Sequence, residues 1–512
     1  MDKNSKSGLA ARLQIPISDK SVVTELSGDF VLPDYQPEIK RLLRVVAAVL
    51  PPSKYISDRE AELAGGIDYY VYYLGSDNMP YCAPLTTEYK INMPFDSDST
   101  DGNELLHPVG GGAVILPDMI SGRVTAPRKL NIKCRLKSRI QVFGDMPIED
   151  GYSHGEDGLQ VLRGSAVASE CLRGVGDIVR VSDEMICDSR EGDVRVISAE
   201  GRALMSEVSA IEDAVACRGE LYLKLLLCKE DEGVPYVSVR KLPLSTTVPL
   251  EGARSVDSAC AKGSVCELNV TVEEGRILME SGVMIEAQVA HPEVVEYVKD
   301  VYSISRQSEN SYKSVSFPSD MVAFGGNFTL SDSLSLDESG IPHGARIIDA
   351  CGRAAVEEYS FEDGKCAIIG KASFSMLTEK DGEFGSYEID MPFSYRISAK
   401  SEVSEAICEC EVISVRARAD GERVGIDAEI GIVGSAYAIK TEKMLSNASF
   451  GDEMASQRGE IVVCYPSNED TLWSVAKRYG AAVERLKNSN KLSTEKSPDS
   501  KESLEKTNFL VI

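Results

Sequence analysis

The sequence predicts a mainly β protein with three similar segments of about 150 residues and a small β-α-α-β module at its C-terminal end. Three observations predict this architecture. Short motifs recur at even spacing, several segments alternate apolar and polar residues, and the periodicity becomes helical after residue 459. The chain has 512 residues, which is long enough for three or four domains.

Three short motifs each occur three times along the chain, in the same order. The first ends in an aspartate, the second contains a glycine that we expect to open a strand, and the third centres on a proline. Their members are Asp34, Asp183 and Asp332; Gly66, Gly219 and Gly370; and Pro94, Pro249 and Pro392. The aspartates are spaced by 149 residues in both intervals, and Ser198–Ala203 also matches Asp349–Ala354. This repetition indicates three copies of one fold.

The segments that follow the repeated glycines alternate as half-buried strands do. One face of the second copy carries leucines, and the matching face of the third copy is also apolar: Leu221, Leu223, Leu225 and Leu227; Ala372, Phe374 and Met376. In the first copy, Ile67–Leu74 is apolar or aromatic on both faces, so we expect a strand covered on both sides. Each copy is therefore predicted to be a β-sandwich or a barrel-like domain.

These patterns divide the chain into five segments. They are a polar N-terminal segment at 1–20, β-rich repeats at 21–150, 161–300 and 322–450, and the C-terminal module at 459–512. The alternative is one large irregular β domain in which the motif matches are accidental. The constant spacing favours the repeats.

Charge and hydropathy limit the classes of partner. The formal net charge is −26, which disfavours binding to nucleic acids and to anionic membranes. No apolar run is long enough to span a bilayer, so we expect no membrane insertion. The N-terminal residues also lack the apolar stretch of a signal peptide, and we expect a cytoplasmic protein.

Residues suited to catalysis or metal binding are scattered. The 13 cysteines include no Cys-x-x-Cys pair, and His107, His154, His291 and His343 lie far apart in the sequence. Gly110–Gly112 lacks the context of a phosphate-binding loop and is expected to be a flexible loop. We therefore predict no catalytic residues, no metal site and no cofactor.

The C-terminal module shows the signals of two short helices between two strands. Asp470 or Thr471 can cap the first helix, and Gly480 suits its left-handed end. The apolar face of this helix is predicted to contain Leu472, Val475, Ala476 and Tyr479. A second helix is expected at Ala482–Asn488, and a last strand at Phe509–Ile512.

Asp470–Gly480, followed by Val483, Leu486 and Asn490, closely resembles a LysM domain. In typical LysM domains, the loops before the first helix and after the second form a groove for N-acetylglucosamine chains. Two features depart from this pattern. Glu469 replaces the usual glycine, and Ser493–Thr507 is long and polar. Both departures weigh against a glycan ligand.

A single C-terminal LysM domain after three β-rich repeats resembles the SPOCS-domain LysM proteins of clostridial spore formers. This resemblance implies a protein of the mother-cell cytoplasm, placed at the forespore surface. It also implies a partner, the coat morphogenetic ATPase, that is bound through the LysM domain. The chain would then be a non-enzymatic adaptor in spore-coat assembly.

Two other classes of function remain as alternatives. The chain could bind peptidoglycan as a cell-wall protein, or be an enzyme such as a wall hydrolase. In either binding class, the candidate contact residues are Asp470, Thr471, Trp473, Lys477, Asn490 and Leu492. We expect Lys477 to be exposed, and the only tryptophan, Trp473, either to anchor the partner or to belong to the core of the module.

Overall fold

The computed structural model describes residues 12–95, 107–153, 158–186, 194–229, 233–273, 275–362, 365–398, 403–454, 462–492, 497–504 and 507–512. Residues 1–11 of the predicted polar segment, His154 and residues 459–461 of the C-terminal module lie outside these ranges. Antiparallel strands dominate the described chain, together with three short α-helices and one 3-10 turn. The mainly β prediction is therefore confirmed.

Repeat 1 consists of two antiparallel sheets that pack against each other. The first sheet contains β2 (Ile39–Val49), β3 (Ser53–Ile56), β4 (Glu60–Gly75) and β5 (Pro80–Pro94), with β4 in the centre. The second contains β1 (Arg12–Val31), β6 (His107–Ala126) and β7 (Lys129–Pro147), in the order β1-β7-β6. Buried residues of both sheets, such as Leu63 and Leu136, share one core. Repeat 1 is therefore a β-sandwich.

Repeats 2 and 3 use the same order of strands, although in repeat 2 a single residue pair joins the two groups of strands into one seven-stranded sheet. Repeat 2 contains β8 (Leu159–Val175), β9 (Val179–Ile186), β10 (Val194–Ile211), β11 (Ala214–Lys229), β12 (Pro235–Pro249), β13 (Ser258–Glu273) and β14 (Arg276–Ser303). Repeat 3 contains β15 (Arg306–Ser335), α1 (Leu336–Ser339), β16 (Arg346–Glu362), β17 (Lys365–Lys380), β18 (Glu383–Ser398), β19 (Glu405–Asp420) and β20 (Arg423–Glu453). The strands of repeats 1 and 3 begin before residues 21 and 322, where the sequence analysis starts these repeats.

The alternating faces of the central strands lie where the sequence predicts them. The four alternating leucines of β11 are buried in the core of repeat 2, and Phe374 and Met376 of β17 are buried in the core of repeat 3. β4 is covered on both sides, as expected. Tyr69 and Tyr73 face the core of repeat 1, whereas Tyr72 belongs to an apolar cluster shared with the other two repeats.

The prediction that Gly66, Gly219 and Gly370 open strands is wrong, because each lies inside the central strand of its repeat. Opposite Gly219 and Gly370, the neighbouring strand carries a β-bulge. A Cβ on Gly219 would lie 2.0 Å from the carbonyl oxygen of Leu204, and one on Gly370 would lie 2.4 Å from that of Ala355. Glycine thus permits the close backbone approach that the bulge creates.

Two further motifs are only partly equivalent in space. Asp183 and Asp332 occupy matching positions in repeats 2 and 3, because each pairs with the fourth residue of the last strand of its repeat. Gly28 occupies that position in repeat 1, so Asp34, six residues further along, is not the structural counterpart. Pro392 lies inside β18 instead of ending it. β18 is an edge strand, where a residue without an N–H is tolerated.

Gly110–Gly112 belongs to β6 and is not a loop, contrary to the prediction. Gly111 and Gly112 pair with Val142 and Gln141 of β7. A Cβ on Gly111 would lie 1.8 Å from the carbonyl oxygen of Gln141, so this position requires glycine.

A buried cluster of charges joins the three repeats. Asp349 of repeat 3 accepts hydrogen bonds from Arg44 of repeat 1 and, at 3.0 Å, from Lys224 of repeat 2. The Arg44 guanidinium lies 4.2 Å from the ring centre of Tyr72, whose hydroxyl donates to Ser198. Burial by itself raises the pKa of Asp349, but the charges of Lys224 and Arg44 outweigh it and hold this pKa well below its usual value.

Substitution Gly219→Ala should destabilise repeat 2 by about 1–3 kcal/mol, because the new methyl group would collide with the Leu204 carbonyl. Gly425→Ala, in β20, is the matched control. A Cβ at Gly425 would have no heavy atom of the described chain within 4 Å, so we expect a small or slightly stabilising effect. Urea denaturation of both variants measures the difference, and equal stabilities would contradict the bulge explanation.

Substitution Asp349→Ala should destabilise the folded chain by about 3–5 kcal/mol, because it leaves Arg44 and Lys224 buried without their shared carboxylate. The control is Asp390→Ala, which removes an exposed partner of Lys371 and should cost less than about 1 kcal/mol. Thermal unfolding of the full chain tests this expectation. A loss at Asp349 no larger than the loss at Asp390 would show that the cluster does not hold the repeats together.

Candidate functional site

The C-terminal module has the predicted β-α-α-β order. It consists of β21 (Val463–Cys464), α2 (Leu472–Arg478), α3 (Val483–Asn490), a 3-10 turn (Lys501–Leu504) and β22 (Leu510–Val511). The two strands pair with each other, and their inward residues Cys464 and Leu510 are buried beneath the helices. The module therefore has a two-layer core of its own.

Capping residues fix the start and end of α2. Thr471 is the N-cap and forms a reciprocal pair of hydrogen bonds with Ser474. Asp470 instead accepts a hydrogen bond from the backbone N–H of Ser467 and also pairs with Arg478, and these contacts lower the pKa of Asp470 to about 2. Gly480 has the left-handed conformation predicted for the residue after the helix.

Tyr479 differs from its predicted position, whereas Trp473 agrees with one of its two predicted alternatives. Tyr479 directly follows α2 and is 40% exposed, so it does not belong to the buried face of the helix. Trp473 is almost fully buried, as the core alternative expects. The reason is that repeat 2 covers it. The rings of Tyr302 and Trp473 meet edge to face, with their centres 4.9 Å apart.

Asp300 of β14 is the main polar link between repeat 2 and the module. Its carboxylate accepts from Trp473 Nε1 at 2.8 Å and from Lys477 Nζ at 2.7 and 2.8 Å. We call these bonds the docking contact. Tyr312 also donates to Asp300, at 2.8 Å. Partial burial raises the pKa of Asp300, but the hydrogen bonds from Lys477, Trp473 and Tyr312 outweigh it and leave this pKa below its usual value.

Lys477 is therefore not the exposed side chain that the sequence predicts. Its side chain is 31% exposed, and its ammonium group is engaged by Asp300. Around the docking contact, Tyr302 donates to the carbonyl of Ala481 at 2.7 Å, and Lys299 pairs with Asp499 at 3.0 Å. Together these contacts give the module a defined orientation on repeat 2.

Asn490 and Leu492 have structural contacts within the module. The Asn490 side chain donates to the carbonyl of Val511 at 2.8 Å and accepts from its N–H at 2.7 Å, which ties α3 to β22. Leu492 packs against the module core. The structure thus does not bring all six candidate residues to one open surface. Their roles in binding a partner remain predictions.

The two loops that flank the predicted groove are in contact with each other. Lys501 Nζ lies 2.8 Å from a carboxylate oxygen of Glu469, and both side chains are exposed. The backbone N–H of Trp473 also donates to the carbonyl of Pro498, at 2.9 Å. The ion pair therefore crosses the space between the two loops.

An exposed apolar surface on the module was missed in the sequence analysis. Tyr465 and Phe509 are 77% and 53% exposed, and Val463 is also exposed. Val463 and Tyr465 alternate with the buried Cys464, while Phe509 precedes the buried Leu510, so all three project from the outer face of the two strands. This alternation is visible in the sequence and could have identified them. We call these residues the apolar ribbon.

The described histidines each face a carboxylate of their own repeat. His291 is buried 2.8 Å from Asp257, while His107 and His343 are exposed near Asp58 and Asp337. Within the described ranges, no group of three His, Cys, Asp or Glu side chains is arranged to hold a metal ion. The absence of catalysis remains a prediction.

Comparison with known families identifies the module. The family model for the LysM domain matches residues 467–498. No curated protein and no solved structure matches the chain. The chain therefore carries a C-terminal LysM domain, mounted on repeat 2 of a three-repeat β structure. None of the described helices has the length and apolar character needed to cross a membrane.

Substitution Asp300→Ala should undock the LysM domain, because Trp473 and Lys477 lose their shared acceptor. Trp473 is the only tryptophan, so its fluorescence emission should shift to longer wavelength as water reaches the ring. Amide exchange in α2 and α3 should stay slow if the domain undocks without unfolding. The control is Asp499→Ala, which removes the partner of Lys299 at the margin of the contact. Unchanged emission in Asp300→Ala would contradict this role of Asp300.

Acid should have the same effect as that substitution. The pKa of Asp300 is lower in the folded chain, so its contribution is complete above the ordinary carboxyl pKa of about 4 and is lost as the pH falls below it. The emission of the wild-type chain should therefore shift to longer wavelength below about pH 4. Asp300→Ala should show no such transition, and identical acid titrations of the two proteins would contradict the assignment.

Proposed function

We propose that this chain is a non-enzymatic adaptor whose three β repeats hold a LysM domain in a fixed orientation for binding a protein partner. The order of three β repeats and one LysM domain supports this proposal, since the SPOCS-domain LysM proteins of clostridial spore formers have the same order. By that resemblance, the partner is the coat morphogenetic ATPase. The site of action is the forespore surface, on the side of the mother-cell cytoplasm.

The observation that carries the proposal is the contact between the two loops of the LysM domain that flank the predicted groove. The Glu469–Lys501 ion pair joins the two loops that form the glycan groove in typical LysM domains. Tyr465 opens the first loop and Phe509 closes the second, which places exposed apolar rings beside them. Aromatic side chains are enriched at the core of protein interfaces, and polar groups form the rim.

The face of α2 that carries Trp473 and Lys477 already contacts Asp300. A partner that binds the docked domain must therefore use another face. The exposed Glu469–Lys501 pair and the apolar ribbon offer such a face. Under this proposal, Trp473 and Lys477 orient the domain on repeat 2 and do not contact the partner. Asp470 and Thr471 shape the first loop beside the partner.

Binding to peptidoglycan is the second candidate function, and the LysM family match favours it. Both partners of the Glu469–Lys501 pair are exposed, and exposed ion pairs contribute little free energy. A glycan could therefore displace this pair and stack on Tyr465. Under this alternative the same loops would bind N-acetylglucosamine chains.

A capture experiment with the full chain separates the two candidates. The chain should be retained by immobilised, purified coat morphogenetic ATPase and should not sediment with insoluble peptidoglycan. Tyr465→Ala should weaken retention by about tenfold or more, because aromatic side chains often dominate interface energies. Tyr35→Ala is the matched control, since Tyr35 is equally exposed, at 79%, on repeat 1.

Sedimentation with peptidoglycan, and no retention by the ATPase, would overturn the adaptor proposal in favour of glycan binding. Retention that Tyr465→Ala and Tyr35→Ala leave unchanged would show that the partner does not use the apolar ribbon. Glu469→Gly restores the residue usual in LysM domains. It should leave retention by the ATPase intact or weaken it, and an increase in peptidoglycan binding would locate the glycan groove at these loops.

A further inference from the structure

A cavity of about 400 Å³ lies where the three repeats meet. One wall is the backbone of Gly110–Gly112 in β6. A Cβ on Gly112 would lie 2.9 Å from Nη2 of Arg173, so the missing side chain lets the guanidinium lie against the strand. The glycine stretch therefore shapes this cavity.

The opposite wall carries a row of side chains across three neighbouring strands of repeat 2. Gln288 of β14 pairs in register with Arg173 of β8 on one side and with Cys260 of β13 on the other. Residues paired in register point to the same face of a sheet. All three residues line the cavity.

Two of these side chains have hydrogen-bond donors that no described residue accepts from. Gln288 is only 8% exposed, and its buried Nε2 has no hydrogen-bond partner among the described residues. Arg173 is exposed, and within the described part of the chain it forms no hydrogen bond or ion pair. Buried polar groups in folded proteins are normally satisfied, so an unused amide in a cavity points to a missing acceptor.

The acidic residues that line the cavity are already neutralised. Lys54 lies 3.2 Å from Glu286, and Lys262 lies 2.7 Å from Glu409. Each pair joins a cation and an anion of the cavity wall. Arg173 is therefore the one charge on the described wall without an opposite partner. A ligand for these groups must offer hydrogen-bond acceptors and negative charge.

We propose that this cavity binds a small oxyanion ligand, with Arg173 and Gln288 donating to its carboxylate or phosphate oxygens. The planar guanidinium presents paired N–H groups suited to such oxygens. The Gln288 amide would add a second donor when its side chain turns the buried Nε2 toward the ligand. The volume is in the range of small-molecule sites, which are about 300–1,000 Å³. This site is separate from the LysM loops, so the proposal does not depend on the proposed function.

Titration calorimetry of the full chain with sodium phosphate, and separately with sodium citrate, tests the site. Both titrations are run at matched ionic strength against sodium chloride. We expect saturable binding of at least one anion, and the stronger of the two identifies phosphate or carboxylate as the preferred group. Arg173→Gln should weaken this binding by about tenfold or more, because the ligand loses its charged donor.

Two further variants make the outcome decisive. Arg180→Gln removes an arginine of β9 that pairs with Glu267 and does not line the cavity, and it should bind like the wild type. Gln288→Met should weaken binding while raising the melting temperature of the ligand-free chain, because it removes an unsatisfied buried amide. No binding beyond the chloride control, or equal binding by wild type, Arg173→Gln and Gln288→Met, would overturn the proposal.

Discussion

The arrangement of the three repeats depends on one buried carboxylate. Asp349 lies between Arg44 and Lys224, so all three repeats contribute charged groups to the same cluster. Desolvation makes such a group costly unless its partners are in place, which ties each repeat to the position of the other two. An apolar cluster with residues from all three repeats, including Tyr72, surrounds the charges. The repeats thus pack as one body.

Asp300 extends the same principle to the LysM domain. A single carboxylate of repeat 2 accepts from Trp473 and Lys477, and the Tyr302 ring completes the contact. The LysM domain therefore has a fixed orientation, in which Asp499 of the second loop pairs with Lys299 while Tyr465 and Phe509 of the apolar ribbon stay exposed. Under the proposed adaptor role, this orientation lets the position of the repeats determine where the partner is held.

The sequence predicted what depends on neighbouring residues and missed what depends on distant ones. Alternation along β11 and β17 identified their buried faces, because burial on one side of a sheet imposes a period of two. The LysM helices were likewise found from local caps and spacing. Asp349 and Arg44, however, are 305 residues apart, and Trp473 and Asp300 are 173 apart. Nothing in the local pattern around Lys477 indicates that repeat 2 would engage it.

Gly219 and Gly370 lie at equivalent positions in repeats 2 and 3, although they do not open strands as predicted. Gly219 and Gly370 were expected to start strands, since glycine often marks a boundary. Both instead lie opposite a bulge, where the partner carbonyl approaches too closely for any Cβ. Gly111 in β6 meets the same constraint from Gln141, and Gly112 beside it makes room for Arg173. Close backbone approach therefore explains Gly219, Gly370 and Gly111, whereas Gly112 leaves room for a side chain at the cavity between the repeats.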